Sequence, residues 1–580
     1  MTDEIVGIDL GTTNSEIALY GAGKPEILAD AQGRKILPSV VGLSETGEIL
    51  VGEDARNQWL LYPDRTIRSI KRRMGRSETV RLGDHEYTPQ EISAIILRRL
   101  KETAEARLGH TVHKAVITVP AYFSDTQRQA TREAGQIAGL EVLRIINEPT
   151  AAALVYEAGQ REGKRILVYD LGGGTFDVSV VRIEEGVVEV ISSHGNNHLG
   201  GDDFDQKIVA HILEHLKLSH AVDVSEQPRA MARIHRAAET AKKQLSDHPF
   251  ARIEEEYLTE LEGKPVHLSM ELSRHEYEAM IAPYVEETLQ AVHTALRSAD
   301  LTAAQVEEIL LVGGATRTPV IRRRLMDVFH HEPRGEVDAD LCVAMGAAIQ
   351  GAAIAGQEVS AVLVDVTPYT FGTSALSELD GEIYPYCFIP IIQRNTPIPV
   401  RKSEVFYTVV DHQSEVDVRI FQGENRDAQQ NIEIGQFRIE GLTKAPAGNE
   451  VTLDLTLDRD GLLHVTALEK KTGLERQIRI DQAIPRYDAA GLQQARERIG
   501  SLFGGGEEET VLAGTGVSAD AEIVALLDKA GTRLDDVNAE DRQEMIDLME
   551  AIHDAQSTGD RAAMDQARQQ LTDLLFYLET

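Results

Sequence analysis

One segment of this chain occurs twice. Ile5-Val6-Gly7-Ile8-Asp9-Leu10-Gly11-Thr12-Thr13 returns about 160 residues later as Ile166-Leu167-Val168-Tyr169-Asp170-Leu171-Gly172-Gly173-Gly174-Thr175. Each copy is an apolar strand that ends in Asp-Leu-Gly and runs into hydroxyl side chains. A hairpin turn would explain either copy alone, but a turn does not require the same order of Asp, Gly and Thr twice. The repeat predicts a duplicated α/β domain whose halves face each other across a cleft. With 580 residues the chain is too long for one core, and length alone suggests about four domains.

The pattern along the chain supports that division. Up to about residue 357, β-branched runs such as Ala115-Val116-Ile117-Thr118-Val119 alternate with long amphipathic segments such as Asp125 to Leu140, the signature of α/β structure. A short apolar run, Val359 to Val364, then leads to Asp365-Val366-Thr367-Pro368. Beyond it the period becomes two. Val451, Leu453, Leu455 and Leu457 alternate with Thr452, Asp454, Thr456 and Asp458 ahead of an Asp460-Gly461 turn, which predicts antiparallel β structure over about 366–483. From Asp488 the apolar spacing turns helical, interrupted by Gly504-Gly505-Gly506.

Composition removes several functions. Lys and Arg number 59 against 94 Asp and Glu, a formal charge of −35 that disfavours nucleic acid and anionic membrane as general partners. Cys342 and Cys387 are too few and too separate for a disulfide framework or thiolate cluster. The start, Met1-Thr2-Asp3-Glu4, shows no basic leader, and no stretch of about 18 apolar residues occurs. A cytoplasmic protein is expected. Each Gly-Lys pair is followed by Pro25, Arg165 or Pro265 rather than Ser or Thr, so there is no P-loop, nor is there a G-x-G-x-x-G, H-E-x-x-H or C-x-x-C motif.

The repeated segment suggests its own chemistry. An Asp at each strand end is followed by glycines that let backbone N–H groups approach an anion, then by Thr hydroxyls that donate to it. Two such loops would grip a polyphosphate from both sides. Asp9 and Asp170 would then face it across a gap that calls for a hard cation with oxygen ligands, magnesium by preference. Ile309-Leu310-Leu311-Val312-Gly313-Gly314-Ala315-Thr316-Arg317 offers a third glycine site for a nucleoside.

These motifs sit within a wider pattern. Val119-Pro120-Ala121-Tyr122-Phe123, Ile145-Ile146-Asn147-Glu148-Pro149-Thr150-Ala151-Ala152-Ala153, His198-Leu199-Gly200-Gly201-Asp202-Asp203-Phe204-Asp205 and the run into Asp365-Val366-Thr367-Pro368 occur in the same order. The chain thereby resembles the seventy-kilodalton heat-shock chaperones of DnaK type over residues 1 to about 483. Within them it is most similar to the HscC-like branch, through Met74-Gly75-Arg76, Arg81-Leu82-Gly83 and Pro390-Ile391-Ile392-Gln393-Arg394-Asn395-Thr396.

The resemblance implies an actin-like ATPase domain at 1–357, an apolar linker at 358–365, a β-sandwich for extended peptides at 366–483 and a shortened, glycine-interrupted helical lid at 484–580. It implies that Thr12, Thr13, Asn14 and Gly172, Gly173, Gly174 and Thr175 contact phosphates. Asp9, Asp170 and, through water, Glu148 would hold Mg2+. Lys71 would stabilise charge during attack by a water that Thr175 and Asp177 help to place. Glu239, Lys242, Lys243, Ser246, Gly313, Gly314, Arg317 and Asp340 match an adenosine pocket. Pro120, Arg128, Arg144, Asn147, Thr150 and Asp365 match a coupling surface. Leu376, Phe406, Val409, Val416 and Val418 match a peptide groove. Implied partners are ATP or ADP with Mg2+ (and K+ beside it), unfolded polypeptides, a J-domain co-chaperone and a nucleotide-exchange factor. A sugar kinase or actin-like filament protein would share the ATPase superfold but leave residues 366–483 without a job, and a pure interaction module with a degenerate nucleotide site is a third reading, against which the retained Asp9, Lys71, Glu148, Asp170 and Thr175 argue.

Overall fold

The computed structural model describes residues 4–157, 163–184, 186–334, 338–359, 362–470, 474–479, 487, 489–503 and 548. The chain divides into two units, Met1–Gly504 and Gly505–Thr580, and all the elements named here lie in the first. The triple glycine and the helical pattern expected beyond it fall outside the described residues.

The repeat is visible in the sheet topology. Ile5–Leu10 runs parallel to Lys114–Val119 on one side and antiparallel to Asn14–Gly21 on the other. In the second half, Lys164–Leu171 runs parallel to Glu308–Val312 and antiparallel to Phe176–Glu184. Both central strands are buried nearly throughout, which is why they read as continuous apolar runs rather than as alternation. Helix Cys342–Ile354 packs against strands Ile5–Leu10 and Asn14–Gly21 of the first half and against helix Glu148–Glu157. Gly346 lies so close to helix Glu148–Glu157 that a Cβ there would stand 1.9 Å from the Ala151 carbonyl oxygen. Among the described residues no helix is long and apolar enough to cross a membrane.

The second-half sheet does not stop at the ATPase region. Its strand Val187–Asn196 pairs in parallel with Val362–Val366, in the register Val187↔Val362 to Glu189↔Val364. The far end of that linker strand pairs with Pro397–Ile398, Asp365↔Ile398 and Val366↔Pro397. Beyond the linker the chain forms two four-stranded antiparallel sheets. One is Glu382–Ile392, Phe371–Leu379, Glu415–Gln422 and Ile432–Glu440; the other is Val400–Tyr407, Glu450–Leu457, Leu463–Glu469 and Leu474–Arg479. The alternation at 451–457 behaves as the sequence predicts: Val451, Leu453, Leu455 and Leu457 enter the sandwich core.

Helix Asp125–Ile137 connects the sandwich to the first half. Ser124 and Gln127 form a capping box at its start, which fixes the first turn, and Arg128 and Arg132 lie four residues apart on one face. Arg132 ion-pairs with Asp460, whose Oδ1 also accepts the Ile145 amide at 3.0 Å. Asp125 Oδ1 accepts the Leu463 amide at 2.8 Å. Further on, helix Ala489–Leu502 buries Ala495 and Ile499 in the first-half core and pairs Arg498 with the buried Glu91 of helix Pro89–Leu108.

This packing makes two outcomes measurable. Gly346→Ala should lower stability by about 1–3 kcal/mol through overpacking, and an unchanged denaturation midpoint would contradict the close helix approach. Asp460→Ala should weaken sandwich docking by roughly 2 kcal/mol, the worth of charged hydrogen bonds. Faster hydrogen exchange at the amides of Val362–Val366 would register it, and unchanged protection would refute it.

Candidate functional site

A cavity of about 1180 Å³ lies between the two halves, lined by Asp9, Thr12, Thr13, Asn14, Lys71, Glu148, Asp170, Gly172, Gly173 and Thr175 among others. The structure thus gathers residues from both repeats into one space. Asp9 sits at the end of strand Ile5–Leu10 and accepts a hydrogen bond from Thr118 Oγ1 at 2.9 Å. Glu148 opens helix Glu148–Glu157. Asp170 and Asp177 stand opposite each other on paired strands, and Asp177 Oδ1 accepts the Tyr122 amide at 3.0 Å. Lys71, on a tight turn at Ile70–Arg73, is only 3% exposed. It ion-pairs with Glu148, and its ammonium lies 5.6 Å from the centre of the Phe123 ring.

The electrostatics are strained in one direction. Burial, reinforced by the charge of Glu148, pushes Asp9 up to about 7 in spite of Lys71 and the Thr118 bond. Burial and Glu148 do the same to Asp177, also to about 7. Asp170 rises well above the ordinary carboxylate range by burial and then by the charges of Glu148, Asp177 and Asp9. Glu16, across the strand pair from Asp9, rises for the same reasons. These acidic groups compete for the positive charge of Lys71, so a cation entering the cleft would lower the energy of their ionised forms. An all-oxygen set suits magnesium. Among the described residues no three Asp, Glu, His or Cys side chains stand close enough to ligate one ion directly.

The anion side is built from backbone. Gly201 donates to the Gly172 carbonyl at 2.9 Å and Asp202 to that of Gly173 at 2.7 Å, tying loop 172–174 to the start of helix Gly201–His220. A Cβ on Gly173 would lie 1.9 Å from Thr13 Oγ1, so only glycine lets the two repeats approach. Thr13 Oγ1 itself is buried and finds no partner among the described residues. An unmatched hydroxyl on the wall of this cavity has a proton free to donate to an anion.

At the other end of the cavity, Glu239, Lys242, Lys243 and Ser246 contribute from helix Pro228–Asp247. The helical spacing read from sequence does put all four on the cavity side. Gly313 holds φ 81, and a Cβ there would meet the Leu171 carbonyl at 2.4 Å. Gly314 and Arg317 line the opposite wall, and Arg317 pairs with Asp340 at 2.6 Å.

Four of the six expected coupling residues, Arg128, Asn147, Thr150 and Asp365, meet through hydrogen bonds. Asp365 is buried, and its Oδ2 accepts hydrogen bonds from Asn147 Nδ2 at 2.8 Å and Thr150 Oγ1 at 3.2 Å. Arg128 Nη2 donates to Asn147 Oδ1 at 2.7 Å and to the Ala121 carbonyl at 2.9 Å. Pro120 is buried at the end of its strand and accepts the Phe123 amide at 3.1 Å. Arg144 Nε is buried without a hydrogen-bond partner among the described residues. Sequence reasoning missed Asp125, Arg132 and Asp460, which fasten the sandwich to this surface. Asp460-Gly461 reads as a hairpin turn, and nothing local reveals that its carboxylate reaches across to an arginine more than three hundred residues earlier. Tyr122 and Tyr369, with ring centres 4.5 Å apart and a 2.6 Å hydrogen bond from Tyr369 to the Tyr122 carbonyl, were missed too.

The sandwich residues are dispersed in burial. Phe406 and Val416 rest half-buried against the sandwich core and Val418 is buried in it. Val409 is 62% and Leu376 52% exposed. The long stretch 372–395 forms a hairpin, Phe371–Leu379 with Glu382–Ile392, steadied by Tyr384 donating to Asp427 at 3.2 Å.

With this geometry in view, comparisons identify the relatives. The family described as "Hsp70 protein" matches residues 5–82 and 78–578. The chaperone protein DnaK of Thermotoga petrophila is 50% identical over 486 residues, covering 82% of this chain and 80% of that protein. The chaperone protein DnaK of Thermotoga maritima gives the same values, and that of Thermosipho africanus is 49% identical over 483 residues, covering 82% and 79%. By motif order, by the two-half cleft and by these matches, the chain belongs to the Hsp70 family of chaperone ATPases.

Proposed function

We propose that this chain binds extended hydrophobic segments of unfolded polypeptides in its sandwich, and that ATP binding and hydrolysis set the affinity through the linker. The observation that carries the reading is the linker strand Val362–Val366, paired at one end with the nucleotide-side sheet and at the other with the sandwich. An added edge strand can exist docked or released, which gives two states for a nucleotide to bias.

At the cleft, Thr12, Thr13, Asn14 and the backbone of Gly172 to Thr175 hold the phosphates. Asp9, Asp170 and, through water, Glu148 would hold Mg2+, which would supply charge neutralisation at the phosphate oxygens. Lys71, aimed by Glu148, stabilises the negative charge that grows on the transferred phosphoryl group. Thr175 and Asp177 place the attacking water. Glu239, Lys242, Lys243, Ser246, Gly313, Gly314, Arg317 and Asp340 receive the adenosine; K+ beside the phosphates belongs to the same reading.

The division into ATPase domain 1–357, linker 358–365, sandwich 366–483 and lid 484–580 is part of the proposal, as is a cytoplasmic setting. So is the HscC-like placement, which rests on the short stretch around Met74 and the run Pro390 to Thr396. A J-domain protein would engage the surface of Arg144, Asn147 and Thr150, and an exchange factor would act on the closed cleft. In the sandwich, Phe406, Val409, Val416, Val418 and Leu376 would line a groove that recognises backbone hydrogen bonds plus an apolar side chain. A sugar kinase is disfavoured because the two antiparallel sheets after the linker form a sandwich that such an enzyme does not use.

ATP turnover with and without an unfolded peptide is the direct experiment: stimulation supports the reading, and indifference to peptide sinks it. Lys71→Ala and Thr175→Ala should each leave ATP affinity near wild type while slowing single-turnover hydrolysis roughly a hundredfold or more. A normal rate would reject that role. Asp365→Asn keeps the shape but alters the acceptor that Asn147 and Thr150 share. It should retain basal hydrolysis and lose most peptide stimulation, and full stimulation would exclude the linker switch.

A further inference from the structure

One segment of the first half crosses the cleft on both sides of Lys71. Arg68 lies over the Trp59 ring, 4.1 Å from its centre, and its guanidinium stands 3.6 Å from Glu239 of the second half. Ser69 Oγ donates to Asp202 Oδ2 at 2.7 Å. Arg72 Nη2 donates to Asp203 Oδ1 at 3.0 Å and to the His198 carbonyl at 3.1 Å. The Arg72 stem also covers the glycine loop, because a Cβ on Gly174 would come within 2.8 Å of Arg72 Cγ.

Ser69 is the unusual member. It holds φ 52 and ψ 33, a left-handed conformation that crowds a Cβ against the following carbonyl oxygen. Such strain persists only where the surroundings enforce it, and it favours functional positions. Here it aims the hydroxyl across the cleft, while the Ser69 carbonyl accepts the Arg72 amide at 3.2 Å to start the turn that carries Lys71. The acceptor is equally well fixed. Asp202 lies in the first turn of helix Gly201–His220, where the helix N-terminus favours a carboxylate, and its own amide holds the Gly173 carbonyl at 2.7 Å.

Lys71 has a second anchor, Glu148, but that residue belongs to the same half. The Glu148 pair fixes the lysine within its own lobe and carries no information about the other. Ser69 and Arg72 do.

We propose that Ser69, supported by Arg72, is a positioning residue that registers Lys71 against the phosphate loop 172–174, so that the lysine is in place only when the halves are closed. The proposal rests on the charge-stabilising role given to Lys71 above. It ties hydrolysis to closure through a bond that leaves the nucleotide untouched, so affinity and rate should separate.

The test uses the full chain and compares ATP affinity with single-turnover hydrolysis. Ser69→Gly keeps the left-handed backbone and removes only the hydroxyl. It should slow hydrolysis roughly tenfold with affinity nearly unchanged, as expected when a stabilising charge is slightly misplaced. Asp202→Ala should do likewise, and the double variant should be no slower than the slower single, because both remove one interaction. Asp202→Asn retains an oxygen for the Ser69 proton and should recover most of the rate. A wild-type rate for Ser69→Gly, or full additivity in the double variant, overturns the clamp where Lys71→Ala is crippled. A wild-type rate for Lys71→Ala overturns instead the role of the lysine.

Discussion

Buried negative charge organises the nucleotide cleft. Asp9, Asp170, Asp177 and Glu148 are drawn together on strand ends and a helix start, and burial raises the first three far above their ordinary range. Desolvated carboxylates repel one another unless cations or protons intervene. Beside them the protein seats the ammonium of Lys71 against Glu148. The remaining demand fits a ligand that brings its own cation together with an anion, which is what a magnesium polyphosphate is. The glycine loop and the unmatched Thr13 hydroxyl answer the anion, and the carboxylates answer the cation.

The same logic of a buried, satisfied charge recurs at the linker. Asp365 is buried, and its burial raises it, yet Asn147, Thr150 and its own chain's Val366 amide supply donors. In that buried position the carboxylate depends on these donors in place of water. Arg128 binds the other face of Asn147 and reaches toward the Asp460 carbonyl at 3.5 Å. Asn147 thus lies between the linker and the sandwich, and the residue after it is Glu148 of the cleft. The chain places the coupling surface and the nucleotide site on adjacent residues of one strand-to-helix junction.

Much of this was legible because the repeat and the period-two strands are local patterns. The Asp-Leu-Gly duplication gave both sheet centres and the cleft between them, and the alternation at Val451 to Leu457 gave the sandwich face. Glu239, Lys242, Lys243 and Ser246 line the cavity, a placement that only the family resemblance implied, since their spacing alone reads as an exposed charged helix face. What sequence could not reveal was long-range pairing. Lys71 in Ile70-Lys71-Arg72-Arg73 reads as a surface basic patch, yet tertiary packing buries it. Asp460 reads as a turn former, Ser69 as an ordinary polar residue and Asp125 as a helix-start acid. Each acquires its role only from a partner supplied by another element, and no local propensity encodes that partner.

The path from cleft to linker is short because it is a single sheet. Asp170 and Asp177 face each other on the first two strands, Gly195 pairs with Asp177 on the third, and Val187 to Glu189 of that third strand pair with Val362 to Val364. Strands spaced about 4.8 Å apart put the linker only three strands from the phosphate loop. A hydrogen-bonded sheet resists shear between its strands, so a rotation of the second half that closes loop 172–174 on a ligand must carry the docking edge with it. Asn147 and Arg128 belong to the first half, outside that sheet. A closure of the second half onto a ligand would therefore shift Asp365 relative to Asn147, and a buried carboxylate whose donors move apart becomes costly to keep. In the proposed reading, nucleotide-driven closure would thereby bias the linker between its docked and released positions.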